Sequence, residues 1–157
     1  MRTGTFSEAA VAKRVGETCV SAWLNKRPAM KIPDGLYKGL GWSIRLNNGS
    51  AAHNLTSVFA HSDGTVLHAA PGVLDAATFL EHLEFALALG GRIYDKGARR
   101  KDAEDIRAEA HRKAAETAQD PIRREAHKRM AGTGWTLQTF PKDLFDDLLK
   151  TYGQVRD

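Results

Sequence analysis

A hairpin signature followed by an amphipathic helix, over residues 56–91, constrains the fold more than any other feature. Two β-prone runs, Thr56–Ala60 and Thr65–Ala69, flank Ser62–Asp63–Gly64, and Asp-Gly between such runs favours a tight turn. Asp75 is placed to cap the helix that follows, and Gly90–Gly91 predicts its end. One side of this helix is apolar: Phe79, Leu80, Leu83, Ala86 and Leu87.

An N-terminal helix and a strand are expected ahead of the hairpin. Ser7 is placed to cap a helix that Gly16 ends. Thr18–Leu24 is apolar at nearly every position, which favours a strand covered on both faces. The alternative is one helix over 7–24, because apolar residues repeat at intervals of four: Val11, Val15, Cys19 and Trp23. Residues 25–53 are rich in turn formers and predict a long connection.

The chain changes character after the hairpin segment, and residues 95–157 are predicted to form an all-α extension. Residues 96–129 are dense in Ala, Arg, Lys and Glu, which favour a helix. Their apolar stripe is thin and predicts a helix with little to bury: Ala103, Ile106, Ala110 and Ala114. Asp120–Pro121 predicts a new helix start, and Gly132 with Gly134 predicts its end.

The order of these elements resembles the later part of the thioredoxin-like fold. Thr5–Ala12 followed by Cys19–Trp23 looks like the helix and strand after that family's active site. Val58–His68 with Pro71–Gly72 is similar to its hairpin and to the glycine before its last helix. The resemblance covers about residues 5–89.

The resemblance implies an α/β fold. The expected architecture is a thioredoxin-like three-layer partial domain of helix, strand, β-hairpin and helix over residues 5–91, with the helical C-terminal extension over 95–157 as a second unit.

Both features of the family's redox site are missing. Members that exchange disulfides carry Cys-x-x-Cys ahead of the first helix, whereas Cys19 is the single cysteine of this chain. The family's cis-proline position corresponds to Leu55, and a non-proline cis bond would cost about 2.5–4 kcal/mol. We therefore expect no self-sufficient dithiol oxidoreductase, and we interpret Cys19 as a small buried hydrophobe within a strand.

The C-terminal region predicts an interface. Pro141 opens an amphipathic helix whose apolar side needs a partner surface. The predicted anchors are the large apolar residues of this region: Trp135, Phe140, Leu144, Phe145, Leu148 and Leu149. The leading hypothesis is a non-catalytic module that works through protein–protein association, as a homo-oligomer or as a subunit of an assembly.

Two other functions stay open. A single-cysteine thiol oxidoreductase or redox-responsive protein would use Cys19 and would need a lowered thiol pKa. Nucleic-acid association would use the basic residues of the segment 96–129. Acidic residues are interleaved with those basic residues at helical spacing, which favours a solvated helix with i,i+4 ion pairs.

Six histidines raise the question of a metal site. His53, His61 and His68 lie around the hairpin, but no spacing of His, Cys or Asp matches a known ligand pattern, so no metal is predicted. His82 follows Glu81 and is interpreted as a solvated histidine on a helix face. The glycine-rich nucleotide loops and the nucleophile elbow do not occur in the sequence, so neither a cofactor nor a catalytic residue beyond the Cys19 candidate is expected.

The sequence also favours a cytoplasmic protein without membrane segments. Residues 1–8 lack the apolar core of a secretory signal. No run approaches the roughly 18 apolar residues that cross a bilayer, and a single cysteine suits a reducing compartment.

Overall fold

The computed structural model describes residues 4–21, 56–95, 97–132 and 150. This part of the chain is mixed α/β and mostly helical. Its elements are a 3-10 turn (Thr5–Ser7), α1 (Ala9–Thr18), β1 (Thr56–Ala60), β2 (Val66–Pro71), α2 (Ala76–Tyr94), α3 (Arg100–Thr117) and α4 (Pro121–Ala131).

The predicted hairpin is confirmed. β1 and β2 pair antiparallel, with Phe59 opposite His68 and Ala60 opposite Val66. Leu67 is therefore an extra residue on β2, and the ladder has a bulge there. Gly64 turns the chain with a φ of 86°, a conformation that glycine adopts without steric cost.

Helix α2 begins as predicted and ends later than predicted. The Asp75 carboxylate accepts a hydrogen bond from the Thr78 amide at 2.8 Å. The predicted stop at Gly90–Gly91 is wrong, because both glycines are helical and the helix continues to Tyr94. A Cβ on Gly90 would lie 3.2 Å from Cδ1 of Leu67, so this glycine lets the helix pack closely on β2. The turn after the helix instead uses Gly97, whose φ is 58°.

The N-terminal segment departs from both predictions made for it. Helix α1 is capped at Glu8, passes through Gly16 and ends at Thr18, so neither the stop at Gly16 nor one helix over 7–24 is correct. The predicted strand is wrong over its described residues, since Thr18 is helical and residues 19–21 belong to no strand. Cys19 is half-buried and packs near Val11 and Phe79.

Helices α3 and α4 form the other half of the described structure. The carboxylate of Asp120 caps α4 by accepting from the amides of Ile122 and Arg123, both at 3.1 Å, and α4 ends before Gly132. Two i,i+4 ion pairs, Lys113–Glu109 and Arg129–Glu125, follow the charge pattern of the sequence. The expectation that the segment buries little is wrong, because five side chains of α3 are buried: Ala103, Arg107, Ala110, His111 and Ala115.

Two hydrophobic clusters of the described residues join α1, β2, α2 and α3. One is centred on Val11, Phe79 and Leu83, and it joins α1 to α2. The other joins β2, α2 and α3 through five buried residues: Leu67, Leu89, Ile93, Ala103 and Ala110. The division into units 5–91 and 95–157 stays a prediction, although within the described residues these two stretches share the second cluster.

None of the helices in the described ranges combines the length and the apolar character needed to cross a bilayer.

Candidate metal centre

Four of the six histidines meet inside the protein, and each comes from a different element. His68 lies on β2, His82 on α2, His111 on α3 and His127 on α4. Their exposed fractions are 0%, 3%, 0% and 1%. We call these four residues the histidine cluster. The interpretation of His82 as a solvated histidine is therefore wrong.

The helices bring these side chains together because each histidine belongs to a buried face. His82 lies between the buried Phe79 and Ala86, which are three and four positions away. His111 is one turn beyond the buried Arg107, and His127 is three positions before the buried Met130. Residues three and four apart share a helix face, so the histidines replace apolar residues at core positions.

Three members of the cluster have the geometry of a metal site. His68, His82 and His127 each offer one ring nitrogen, and these three atoms lie within 4.8 Å of one another. A tetrahedral zinc ion holds nitrogen at about 2.0–2.1 Å, which places two such ligands about 3.3 Å apart. The observed spread is compatible with ligation after small side-chain rotations.

Hydrogen bonds join the histidines in two pairs. Nε2 of His68 lies 2.7 Å from Nδ1 of His82. Nδ1 of His111 lies 2.9 Å from Nδ1 of His127, and Nε2 of His111 lies 3.3 Å from the carbonyl oxygen of Leu67. Within the described part of the chain, Nδ1 of His68 is buried without a hydrogen-bond partner. A buried polar atom of this kind is costly unless something satisfies it.

Aromatic rings enclose the cluster. Phe85 packs on His68, His111 and His127, with ring centroids 5.0–5.1 Å away. Phe59 stacks on His68 at 5.7 Å. This packing excludes water and fixes the planes of the imidazoles, so the side chains are held ready for a ligand.

All four histidines are held in the neutral form. Burial lowers the pKa of His68 well below its usual range, and the neighbouring histidines lower it further. Burial also lowers the pKa of His82 and of His127 to about 4, and that of His111 to about 3. Neutral imidazole is the form that binds metals.

The charges around the cluster have both signs. Arg123 lowers the pKa of His82 and of His127, whereas Glu81 and Asp120 raise that of His82. Arg123 itself forms an ion pair with Glu81. This pairing offsets part of the positive field that Arg123 exerts on the cluster.

Of the two described histidines that were considered around the hairpin, His68 belongs to the cluster and His61 does not. His61 stacks on Tyr94 at the hairpin turn, with the centroids 3.4 Å apart. His53 and the six predicted interface anchors lie outside the described residues: Trp135, Phe140, Leu144, Phe145, Leu148 and Leu149. Cys19 packs near Val11, Phe79 and Leu83, whereas His68 and His82 belong to the histidine cluster. The redox role considered for the Cys19 thiol stays a prediction.

Sequence reasoning missed this site because its ligands are scattered. The four histidines share no short ligand motif of the kind that marks many zinc sites. A signal nevertheless existed, because His82, His111 and His127 all fall at helix positions next to apolar residues. A histidine on an apolar stripe is buried, and several such stripes meet in one core.

Comparison with known proteins adds no relative. No protein-family model matches the chain. Neither the curated proteins nor the solved structures include a significant match.

Proposed function

We propose that this protein binds a divalent transition-metal ion through His68, His82 and His127. The observation that carries the proposal is the convergence of three buried ligand nitrogens, from β2, α2 and α4, within 4.8 Å. The state of the rings supports it, because all three imidazoles are buried and held neutral, and neutral imidazole is the form that binds metals.

The donor set selects the class of metal. Imidazole nitrogen suits zinc, copper, nickel and iron, whereas magnesium, calcium and manganese prefer oxygen ligands. The three proposed ligands supply nitrogen only. We therefore propose zinc or a similar borderline ion, with a fourth position that another ligand fills.

The placement of the ligands favours a structural role. A metal bound there connects the hairpin, α2 and α4, and it is shielded from water by the packing of Phe85. A metal site that is assembled by the fold contributes its binding free energy to folding. The function supported best is thus a metal-stabilised fold.

Zinc binding tests the proposal directly. Metal-free full-length protein is refolded with Zn²⁺ or Co²⁺, because the site is buried, and bound metal is measured by elemental analysis and Co²⁺ absorption. We expect one ion per chain and, at a free concentration of 100 times Kd, about 2.7 kcal/mol of added stability. His82→Gln should weaken binding at least about 100-fold, beyond the usual loss for an outer-sphere residue.

The matched control is His61→Gln, which removes a histidine that lies at the hairpin turn, outside the cluster. This variant should bind zinc as the wild type does. If the wild-type chain binds no zinc and its thermal midpoint does not change, the cluster is a network of neutral histidines that serves packing alone, and the proposal is wrong.

A further inference from the structure

His111 is held differently from the three proposed ligands. It is completely buried, and both of its ring nitrogens have protein neighbours. Nε2 lies 3.3 Å from the Leu67 carbonyl oxygen, and Nδ1 lies 2.9 Å from Nδ1 of His127. His111 is also outside the set of three ligands that come within 4.8 Å of one another.

These contacts determine where the ring protons lie. A carbonyl oxygen can only accept, so Nε2 of His111 carries the hydrogen. A neutral imidazole has one N–H group, which leaves a lone pair on Nδ1 of His111. The hydrogen between the two Nδ1 atoms then belongs to His127, and Nε2 of His127 retains the lone pair.

The bulge in the hairpin supports this chain of hydrogen bonds. Leu67 is the extra residue on β2 and has no register partner on β1. Its side chain packs in the cluster that joins β2, α2 and α3, so its carbonyl group has a fixed position beside α3. The carbonyl can therefore orient the ring of His111.

We propose that His111 is a positioning residue that holds His127 as the Nδ1–H tautomer, so that Nε2 of His127 binds the metal. The inference rests on the proposed function. Metal-ligating histidines usually donate their other N–H group to a fixed acceptor, which sets the tautomer and the ring orientation. Here the acceptor is Nδ1 of His111, which the Leu67 carbonyl in turn orients.

Nuclear magnetic resonance can observe the tautomer without a metal. In ¹⁵N-histidine-labelled, metal-free full-length protein, long-range ¹H–¹⁵N spectra distinguish a protonated ring nitrogen from one with a lone pair. We expect Nδ1 of His127 to be protonated and Nε2 to be free. The Nε2–H form, which predominates in free neutral histidine, is expected for His111 itself.

Two variants separate positioning from ligation. His111→Leu removes both hydrogen bonds, so His127 should lose its fixed tautomer and zinc affinity should fall about 10–100-fold. His111→Gln keeps one donor and one acceptor, and it should preserve the tautomer of His127 and most of the affinity. His61→Gln is the control, because it removes a histidine that stacks on Tyr94 outside the cluster, and it should leave the tautomer of His127 and the zinc affinity unchanged.

The outcomes distinguish this inference from the proposed function. A wild-type chain that binds no zinc refutes the metal site and, with it, this role of His111. A chain that binds zinc but shows His127 as the Nε2–H tautomer refutes the role of His111 alone. Equal losses of affinity in His111→Gln and His111→Leu also refute it, because His111 would then be a ligand. If His111→Leu does not fold, the wild-type spectrum and His111→Gln still decide.

Discussion

A single residue, Gly90, determines how closely α2 approaches the sheet. It is helical, and its missing side chain leaves room for Leu67 of β2. Leu67 in turn provides the carbonyl that contacts His111. The position of the hairpin relative to the histidine cluster therefore depends on a residue that lies outside the cluster.

Replacing Gly90 tests this dependence. A Cβ there would lie 3.2 Å from Cδ1 of Leu67, and the branches of Val add further volume. We expect Gly90→Val to destabilise the protein by about 1–3 kcal/mol, measured by urea unfolding.

Gly16 provides the matched control on α1. No atom lies within 4 Å of the position that a Cβ would occupy there, and valine is a better helix former than glycine. Gly16→Val should therefore change the free energy of unfolding little or raise it. Equal losses at the two positions would show that the contact with Leu67 is not the cause of the loss at Gly90.

At the scale of elements, the sequence predicts the parts that local chemistry decides. The turn at Asp63–Gly64, the cap at Asp75 and the helix start at Asp120–Pro121 follow from backbone needs that neighbouring residues meet, and all three are confirmed. Gly16 and Gly90 gave wrong helix ends because one glycine costs a helix only about 1 kcal/mol, which the rest of the helix can offset.

The histidine cluster is the part that local patterns could not supply. His68 and His127 are on elements far apart in sequence, and nothing near either residue indicates the other. Arg107 and His111 interrupt the apolar stripe of α3 with polar side chains, so the stripe looks thin in the sequence although five side chains of the helix are buried. Identifying such a face requires knowledge of what packs on it.

At the scale of the whole molecule, the cluster makes the metal-free protein sensitive to acid. In the unfolded chain a histidine titrates near pH 6.5, whereas folding lowers the pKa of His82 and His127 to about 4. The unfolded state therefore binds more protons between these values. Stability should be complete above about pH 6.5 and should decrease as the pH falls toward about 4.

Urea unfolding between pH 7 and pH 4.5 measures this effect. Each histidine contributes at most about 1.4 kcal/mol per pH unit, and carboxylates contribute little above pH 4.5. His82→Gln should make the dependence shallower. A free energy of unfolding that is constant over this range would contradict neutral burial of the cluster.

The predicted interface also belongs to the whole molecule. The association hypothesis stays a prediction, because its anchors lie outside the described residues. These anchors are Trp135, Phe140, Leu144, Phe145, Leu148 and Leu149. Truncation after Gly132 removes all six anchors. We expect a lower oligomeric state by light scattering, since the apolar surface that needs a partner is gone. An unchanged number of chains per particle would argue against the interface.

The four histidines of the cluster lie on four different elements, so a metal ion bound among them would cross-link parts of the chain that are distant in sequence. The protein's single cysteine cannot form a bridge within the chain, yet a coordinated ion would tie residues 68 and 127 together as a covalent staple does, by restricting the unfolded chain. Such a staple would withstand reductants and yield to chelators. A reducing environment would then leave this metal cross-link intact, and the local concentration of free metal would determine how much it stabilises the protein.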